Sequence, residues 1–193
     1  MTCIAGIVEK NDVWLAGDRA ATGGGLSRIL IKHPKIFIKS GIGIGVCGLP
    51  KVIDAVQQAI DLPTKPKNMA TKEFLIKVLV PVLREGLKKY ECTEDHNGSQ
   101  VFHGAMLIAC SGELHELESN FQLIETSNGF NAVGSGGEAA LGSLRASKGT
   151  GNAHYRLKKA LEVSAENNAG VAPPFDFLKI SGELNVDNCF TTA

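Results

Sequence analysis

Thr2-Cys3-Ile4-Ala5-Gly6-Ile7-Val8 opens the chain, and Val13-Trp14-Leu15-Ala16-Gly17-Asp18 follows after the turn residues Lys10-Asn11-Asp12. The first run is small, β-branched and uncharged, which reads as a buried strand starting at residue 2. The second run reads as its antiparallel return. With the turn at Lys10-Asn11, facing residue numbers sum to about 21, which sets Asp18 beside Thr2 and Cys3. A threonine heads an apolar strand and faces a carboxylate that burial makes costly unless it is paired.

A second strand pair follows: Lys35-Ile36-Phe37-Ile38, the turn Lys39-Ser40-Gly41, and residues 42–47. Few polar residues interrupt these runs, as expected of strands covered on both faces. Leu49, Val52, Ile53, Val56 and Ile60 then take up helical spacing, stopped by Pro63. Residues 71–90 repeat the pattern, with Pro81 expected to kink or split the helix. Strands are expected at 102–110, 114–118, 122–126 and 131–133, helices at 138–146 and 153–168, and a closing strand at 175–180. The stretches 20–30, 63–70 and 91–100 read as loops. Helices gathered in pairs between groups of strands indicate α+β layers rather than a doubly wound sheet.

The 193 residues suit a single domain spanning 1–193. The 20 basic side chains balance 20 acidic ones, which argues against nucleic-acid binding. No apolar run approaches the ~20 residues of a membrane span, and the N-terminus lacks the order of a secretion signal. Five cysteines, an odd count without a C-x-x-C pair, point to a reducing cytoplasm.

A threonine hydroxyl attacks carbonyl carbon only when a base takes its proton, and the chain's own α-amine can be that base. Such an amine has a reference pKa of roughly 7.7–8.0, so it accepts a proton near neutrality. Met1 is followed by the small Thr2, the arrangement methionine aminopeptidase tolerates, so removal of Met1 is expected to free Thr2. Lys35, after Pro34 and at the head of an apolar strand, is one partner for Asp18; local pairing of Asp18 with Arg19 or Arg28 is the other. Lys32 differs from Lys35 by an odd number of positions, so in an extended segment it faces the opposite way. Ser135 with Glu138 fits a capping box at a helix start. Gly134-Ser135-Gly136-Gly137 lacks the Lys-Ser/Thr of a phosphate loop, and Thr22-Gly23-Gly24-Gly25 reads as a plain loop. His33, His96, His103, His115 and His154 have no paired ligand spacing, so no metal site is expected. Cys3 and Cys47 read as small core residues, and Pro173-Pro174 as a rigid lead-in to the last strand.

Taken together, Thr2-Cys3-Ile4-Ala5-Gly6, Leu15-Ala16-Gly17-Asp18-Arg19-Ala20-Ala21-Thr22, Lys35-Ile36, Cys47-Gly48 and Val133-Gly134-Ser135-Gly136-Gly137 resemble the catalytic blocks of proteasome β-type subunits, the bacterial HslV-type peptidases in particular. The spacings agree from residue 2 to about 180, with a one-residue insertion between Asp18 and Lys35. The resemblance implies an N-terminal-nucleophile hydrolase: an α+β, four-layer αββα sandwich of two antiparallel sheets between helix layers. It implies Thr2 as nucleophile and its amine as base, Lys35 keeping that amine deprotonated, and Asp18 holding Lys35. It implies the Gly48 N–H as oxyanion donor and Ser135 as a hydrogen-bond partner near the amine. Thr22 and Val46 match positions lining the substrate groove and its first pocket.

Asn168 and Val171 stand where the family carries Asp and Ser; the neutral amide of Asn168 can still orient the N-terminus but shares no charge. The implied activity is threonine-type endopeptidase cleavage of unfolded polypeptides, without a cofactor, in homo-oligomeric stacked rings. The resemblance also admits an ATP-dependent unfoldase partner. Two alternatives stay open on the sequence: a catalytically inactive ring subunit, and an amidohydrolase of the same superfamily acting on a small amide.

Overall fold

The computed structural model describes residues 1–23 and 27–182, and the backbone of 189–192. Strands β1 (Ile4–Glu9) and β2 (Asp12–Asp18) form the first hairpin, whose register runs from Ile4 opposite Gly17 to Glu9 opposite Asp12. A short ribbon of β3 (Ala20–Gly23) and β4 (Ser27–Leu30) leads to the second hairpin, β5 (Ile36–Lys39) with β6 (Ile42–Gly48). Helices α1 (Pro50–Asp54), α2 (Thr71–Phe74) and α3 (Val80–Lys89) follow. A polar ribbon, β7 (Thr93–His96) with β8 (Ser99–Phe102), precedes β9 (Gly104–Cys110), β10 (Glu113–Leu117), β11 (Leu123–Glu125) and β12 (Phe130–Val133). Helices α4 (Gly137–Ala146) and α5 (Ala153–Asn167) come next, then β13 (Phe175–Ser181) and β14 (Cys189–Thr192).

The long strands make two antiparallel sheets, ordered β12-β1-β2-β13-β14 and β11-β10-β9-β6-β5. Strand alternation sorts their side chains into three apolar clusters, one per interlayer space. Ile4, Leu15, Ile36, Leu107 and Leu178 lie in the cluster between the sheets. Cys3, Ala16 and Phe177 pack with Leu144 and Leu157 under α4 and α5. Ile44, Val46 and Ile108 pack with Phe74 and Leu83 under the other helices. Three such spaces require four layers, so the molecule is an αββα sandwich. The Ile42-Gly43-Ile44-Gly45-Val46 alternation acquires a reason here. Its isoleucines and valine face the helices, whereas a Cβ on Gly43 or Gly45 would come within 2.5 Å of Ile180 or Ile4 from the facing sheet. Bare glycines let those isoleucines fill the gap, each burying a side chain for roughly 1.5–3 kcal/mol.

Helical periodicity locates the helices correctly but not their hydrogen bonding. After α1 the turn widens over Ala55–Ala59, and the Ile60 N–H reaches back five residues to the Ala55 carbonyl at 2.9 Å. Lys39, at the end of β5, donates to the Val56 and Gln57 carbonyls of that turn at 3.2 and 3.1 Å. Between α2 and α3 a second wide turn, Leu75–Leu79, lies directly ahead of Pro81, and the Val80 N–H bonds to the Leu75 carbonyl. A proline ring crowds the carbonyl four residues back, and the wide turn moves that carbonyl aside. Pro81 therefore splits the hydrogen-bond ladder without ending the helical run.

Two expected loops, 20–30 and 91–100, contain the ribbons β3–β4 and β7–β8 instead; Gly24 and Gly25 of the first lie outside the described residues. The stretch 63–70 carries no helix or strand, as expected, and β14 adds a strand after the one expected to close the chain. Among the described residues no helix is long and apolar enough to cross a membrane.

Candidate active site

The hairpin register brings the start of β1 to the end of β2. The Cys3 N–H donates to Asp18 Oδ1 at 2.9 Å, and the Ala20 N–H donates to Oδ2 at 2.8 Å. Lys35, one residue before β5, sends its ammonium across from the other sheet. Nζ donates to Asp18 Oδ1 at 2.9 Å, to Thr2 Oγ1 at 3.0 Å and to the Ala20 carbonyl at 2.6 Å. Asp18 is 0% exposed, Lys35 2% and Thr2 4%, so this charge pair is out of water and each charge depends on the other. Burial pushes the Lys35 ammonium below its ordinary pKa, and the Asp18 charge and hydrogen bond act against that fall.

Local pairing of Asp18 does not occur: Arg19 turns to Asp176, and Arg28 Nη1 donates to the Ala169 carbonyl at 3.4 Å. Lys32 is exposed.

The Thr2 N–H donates to Ser135 Oγ at 3.1 Å, and the Ser135 hydroxyl lies 3.4 Å from the Thr2 carbonyl. The Gly136 N–H donates to that carbonyl at 3.1 Å. Gly134 adopts φ +93°, and a Cβ there would sit 2.3 Å from the same oxygen, so only glycine brings this turn so close to residue 2. The capping box expected of Ser135 with Glu138 does not form. Gly136 occupies the N-cap of α4, which has no side-chain cap, while Ser135 Oγ is engaged with Thr2. Asn168, at the end of α5, donates from Nδ2 to the Ser135 carbonyl at 3.0 Å and accepts the Gly170 N–H at 3.0 Å. Its link to the N-terminus thus runs through Ser135.

Met1 covers the site. Thr2 Oγ1 donates to the Met1 carbonyl at 2.7 Å, the terminal ammonium donates to Thr22 Oγ1 at 3.3 Å, and the Met1 side chain lies against Gly170. A pocket of about 170 Å³ opens beside Thr2, lined by Thr22, Ile31, Gly48, Leu49 and Ile53 among others. A larger concavity of about 440 Å³ on the outer face of α4 and α5 gathers no comparable set of buried charges. Gly48 is exposed at φ +127°, with its Cα against the His103 carbonyl. Val46, expected to line the first pocket, exposes no surface there. Alternation points it into the core cluster that also holds Ile53, and it is fully buried.

Two partnerships were not anticipated. Asp176, fully buried on β13, pairs with Arg19; a carboxylate inside the apolar run of residues 175–180 was its signal in the sequence. Ser164, buried on α5, donates to the Gly136 carbonyl at 3.0 Å. Cys3 and Cys47 are core residues as expected, and burial pushes the Cys3 thiol up to about 11, which keeps it protonated. Among the described residues no group of His, Cys, Asp and Glu could hold a metal ion.

No protein-family model matches the sequence, and no curated protein does. Solved structures do match. BPH from Thiobacillus denitrificans superposes with a TM-score of 0.79 at 18% identity, over 96% of this chain and all of that one. The same protein in complex with epoxomicin gives 0.78 at 17%. HslV from Trypanosoma brucei gives 0.66 at 18%, over 93% of this chain and 99% of that one. Anbu from Yersinia bercovieri, described as an ancestral β-subunit, gives 0.68 at 11%, over 99% of this chain and 86% of that one. The chain therefore has the fold of the proteasome β-type and HslV-like N-terminal-nucleophile peptidases.

Proposed function

We propose that this chain is a threonine-type endopeptidase whose nucleophile is Thr2 Oγ1, working with its own α-amine once Met1 is removed. The observation that carries this is the buried Lys35 ammonium, 3.0 Å from Thr2 Oγ1 and 2.9 Å from the buried Asp18 carboxylate, at the wall of the pocket beside Thr2. With Met1 gone, the residue-2 nitrogen becomes a primary amine beside Ser135 Oγ, next to a fixed positive charge that disfavours its protonation. The amine takes the hydroxyl proton as Oγ1 attacks the substrate carbonyl carbon. The Gly48 N–H, at the rim of the pocket, stabilises the oxyanion. The amine returns the proton to the leaving nitrogen, and water then cleaves the acyl ester to release Thr2.

The pocket lining of Ile31, Leu49 and Ile53 favours an apolar side chain next to the scissile bond. Exposed Ile29 and Leu30 on β4 and Ile76 between α2 and α3 supply apolar surface for the stacked rings in which such a subunit would enclose unfolded polypeptides.

The test couples intact mass with hydrolysis of a fluorogenic peptide. Loss of one methionine residue together with peptide hydrolysis, and elution far above 20.4 kDa, are the expected results. A retained methionine and an inert ring favour the structural subunit. Turnover of small amides in place of peptides favours the amidohydrolase. A monomer in sedimentation at micromolar concentration removes the enclosed chamber, and with it the unfolded-polypeptide assignment.

A further inference from the structure

A second buried ion pair adjoins the first. Asp176 faces Gly17 across the β2–β13 ladder, beside the Phe175–Asp18 pair, and is 0% exposed. Arg19 Nη2 and Nε donate to its two carboxylate oxygens at 2.6 and 2.7 Å. The third nitrogen, Nη1, donates to the Lys32 carbonyl at 3.1 Å, and the Arg19 carbonyl accepts the Ile31 N–H at 2.9 Å. Arg19 is therefore tied at once to β13 and to the segment 31–32 that leads into Lys35. Its chain neighbours, Asp18 and Ala20, carry two of the oxygens that accept from the Lys35 ammonium.

We propose that Arg19, anchored on Asp176, is a positioning residue for Lys35, holding the lysine's acceptors and the lysine's own backbone as one rigid unit against Thr2. This rests on Thr2 and Lys35 serving the reaction as proposed above. The choice of arginine follows from geometry. A planar guanidinium can hold both oxygens of one carboxylate and still present a third donor, whereas a lysine offers a single charged point. Asp176 in turn needs a cation, because a buried carboxylate without one is costly. Arg19 is not itself among the residues lining the pocket; it meets that lining through its carbonyl, which accepts the Ile31 N–H, a main-chain bond that side-chain substitution keeps, so the effect of its guanidinium belongs on turnover rather than on substrate binding.

The far end of the same two strands provides the control. There Lys179 on β13 pairs with Asp12 on β2 at 2.7 Å, with both side chains partly exposed. In the full processed chain, Arg19→Lys, the double variant Arg19→Met with Asp176→Leu, and Lys179→Met are compared with the wild type by thermal midpoint, kcat and KM on one peptide. The double variant removes both charges together, so no buried charge is left alone. We expect both Arg19 variants to lose at least ~10-fold in kcat, part of what a positioned acid–base group supplies, with KM changed less than ~2-fold. Lys179→Met is expected to keep kcat.

A second readout does not depend on hydrolysis: reductive methylation followed by peptide mass spectrometry. Lys35, 2% exposed, is expected to resist labelling in the wild type and to become labelled in Arg19→Lys. Wild-type kcat and a protected Lys35 in a folded Arg19→Lys chain overturn the proposal. So does failure of both Arg19 variants to fold, which makes the pair structural only. If the wild type hydrolyses nothing, or Thr2→Ala hydrolyses as well as wild type, the peptidase assignment fails, and the labelling result still decides whether Arg19 holds Lys35 in place.

Discussion

The two ends of the β1–β2–β13 ribbon are built on opposite terms. Where β1 turns into β2, the chain uses an ordinary hairpin with Lys10 at φ 59° and one ion pair, Asp12–Lys179, with side chains 26% and 37% exposed. Where β1 begins and β2 stops, two carboxylates, Asp18 and Asp176, are withdrawn from water, each with a cation reaching in. An exposed pair contributes roughly 0–1 kcal/mol and tolerates slack in its geometry. A buried pair returns little net stability, but loss of one partner costs about 3–5 kcal/mol, so its geometry is enforced. The same strands thus offer a permissive end and a rigid one, and the groups that chemistry would need stand at the rigid end.

The strongest way to break this contrast is Thr2→Ala, expected to abolish peptide hydrolysis with thermal midpoint and assembly unchanged, because the hydroxyl is needed only to attack. Thr2→Ser keeps an Oγ beside an amine and should retain part of the rate. A fully active Thr2→Ala chain, measured on the same fluorogenic peptide, would remove the rigid end's purpose.

Next come Lys35→Ala and Asp18→Asn, each expected to lower turnover at least ~10²-fold, the lower end of an acid–base contribution. Both are to be scored only in chains whose circular dichroism and sedimentation match the wild type, since each leaves a buried charge alone. Lys32→Ala, three residues away and exposed, should stay close to wild type. A reversal of the two lysines would mean that the strand register is wrong.

Alkaline unfolding sharpens the contrast through Cys3, whose side chain lies under the helices while Thr2 faces the pocket. Its thiol titrates at 9.0 in a reference peptide and at about 11 when buried here. The unfolded chain therefore loses that proton first, and stability should fall as pH rises from 9.0 to about 11. Two units correspond to about 2–3 kcal/mol. Urea midpoints of Cys3→Ala should show a shallower alkaline decline than wild type; an identical decline would assign the slope to other groups. Smallest of all is Lys179→Met. At the permissive end it should shift the thermal midpoint by no more than a surface pair's worth, under about 1 kcal/mol. Asp12 loses the partner that holds its carboxyl below the ordinary range, so any stability lost by this variant should be seen above that range and vanish as acid protonates Asp12.

Legibility in the sequence followed the range of the forces involved. The first hairpin was readable because its register follows from one turn and strict alternation, and that register sets Asp18 beside Cys3. The paired helices were readable from the spacing of Leu75, Leu79 and Leu83, although the wide turns were not, since they answer to Pro81 and to a distant Lys39. The ribbon Thr93–His96 was missed because its residues are polar throughout and show no alternation. The tie between Arg19 and Asp176 joins positions 157 apart, and no local pattern announces it. Ser135 stands one residue ahead of the N-cap of α4, and its hydroxyl accepts the Thr2 N–H from 133 positions away, so the local capping pattern misleads and no local pattern announces the contact.

Gly48 and Gly104 face each other where β6 meets β9, with a Cβ on either placed 2.0 Å from a backbone oxygen beside the other. In the space of possible sequences this is a double lock. A side chain at one position cannot be offset by any change at the other, because the obstacle is main chain in both directions. A saturation scan should therefore show two deep troughs, at 48 and at 104, with no second-site suppressor linking them. Methods that find contacts from correlated substitution need both partners to vary, so they are blind to this one. The corner that places Gly48 at the pocket would be written into a family as silence rather than as signal.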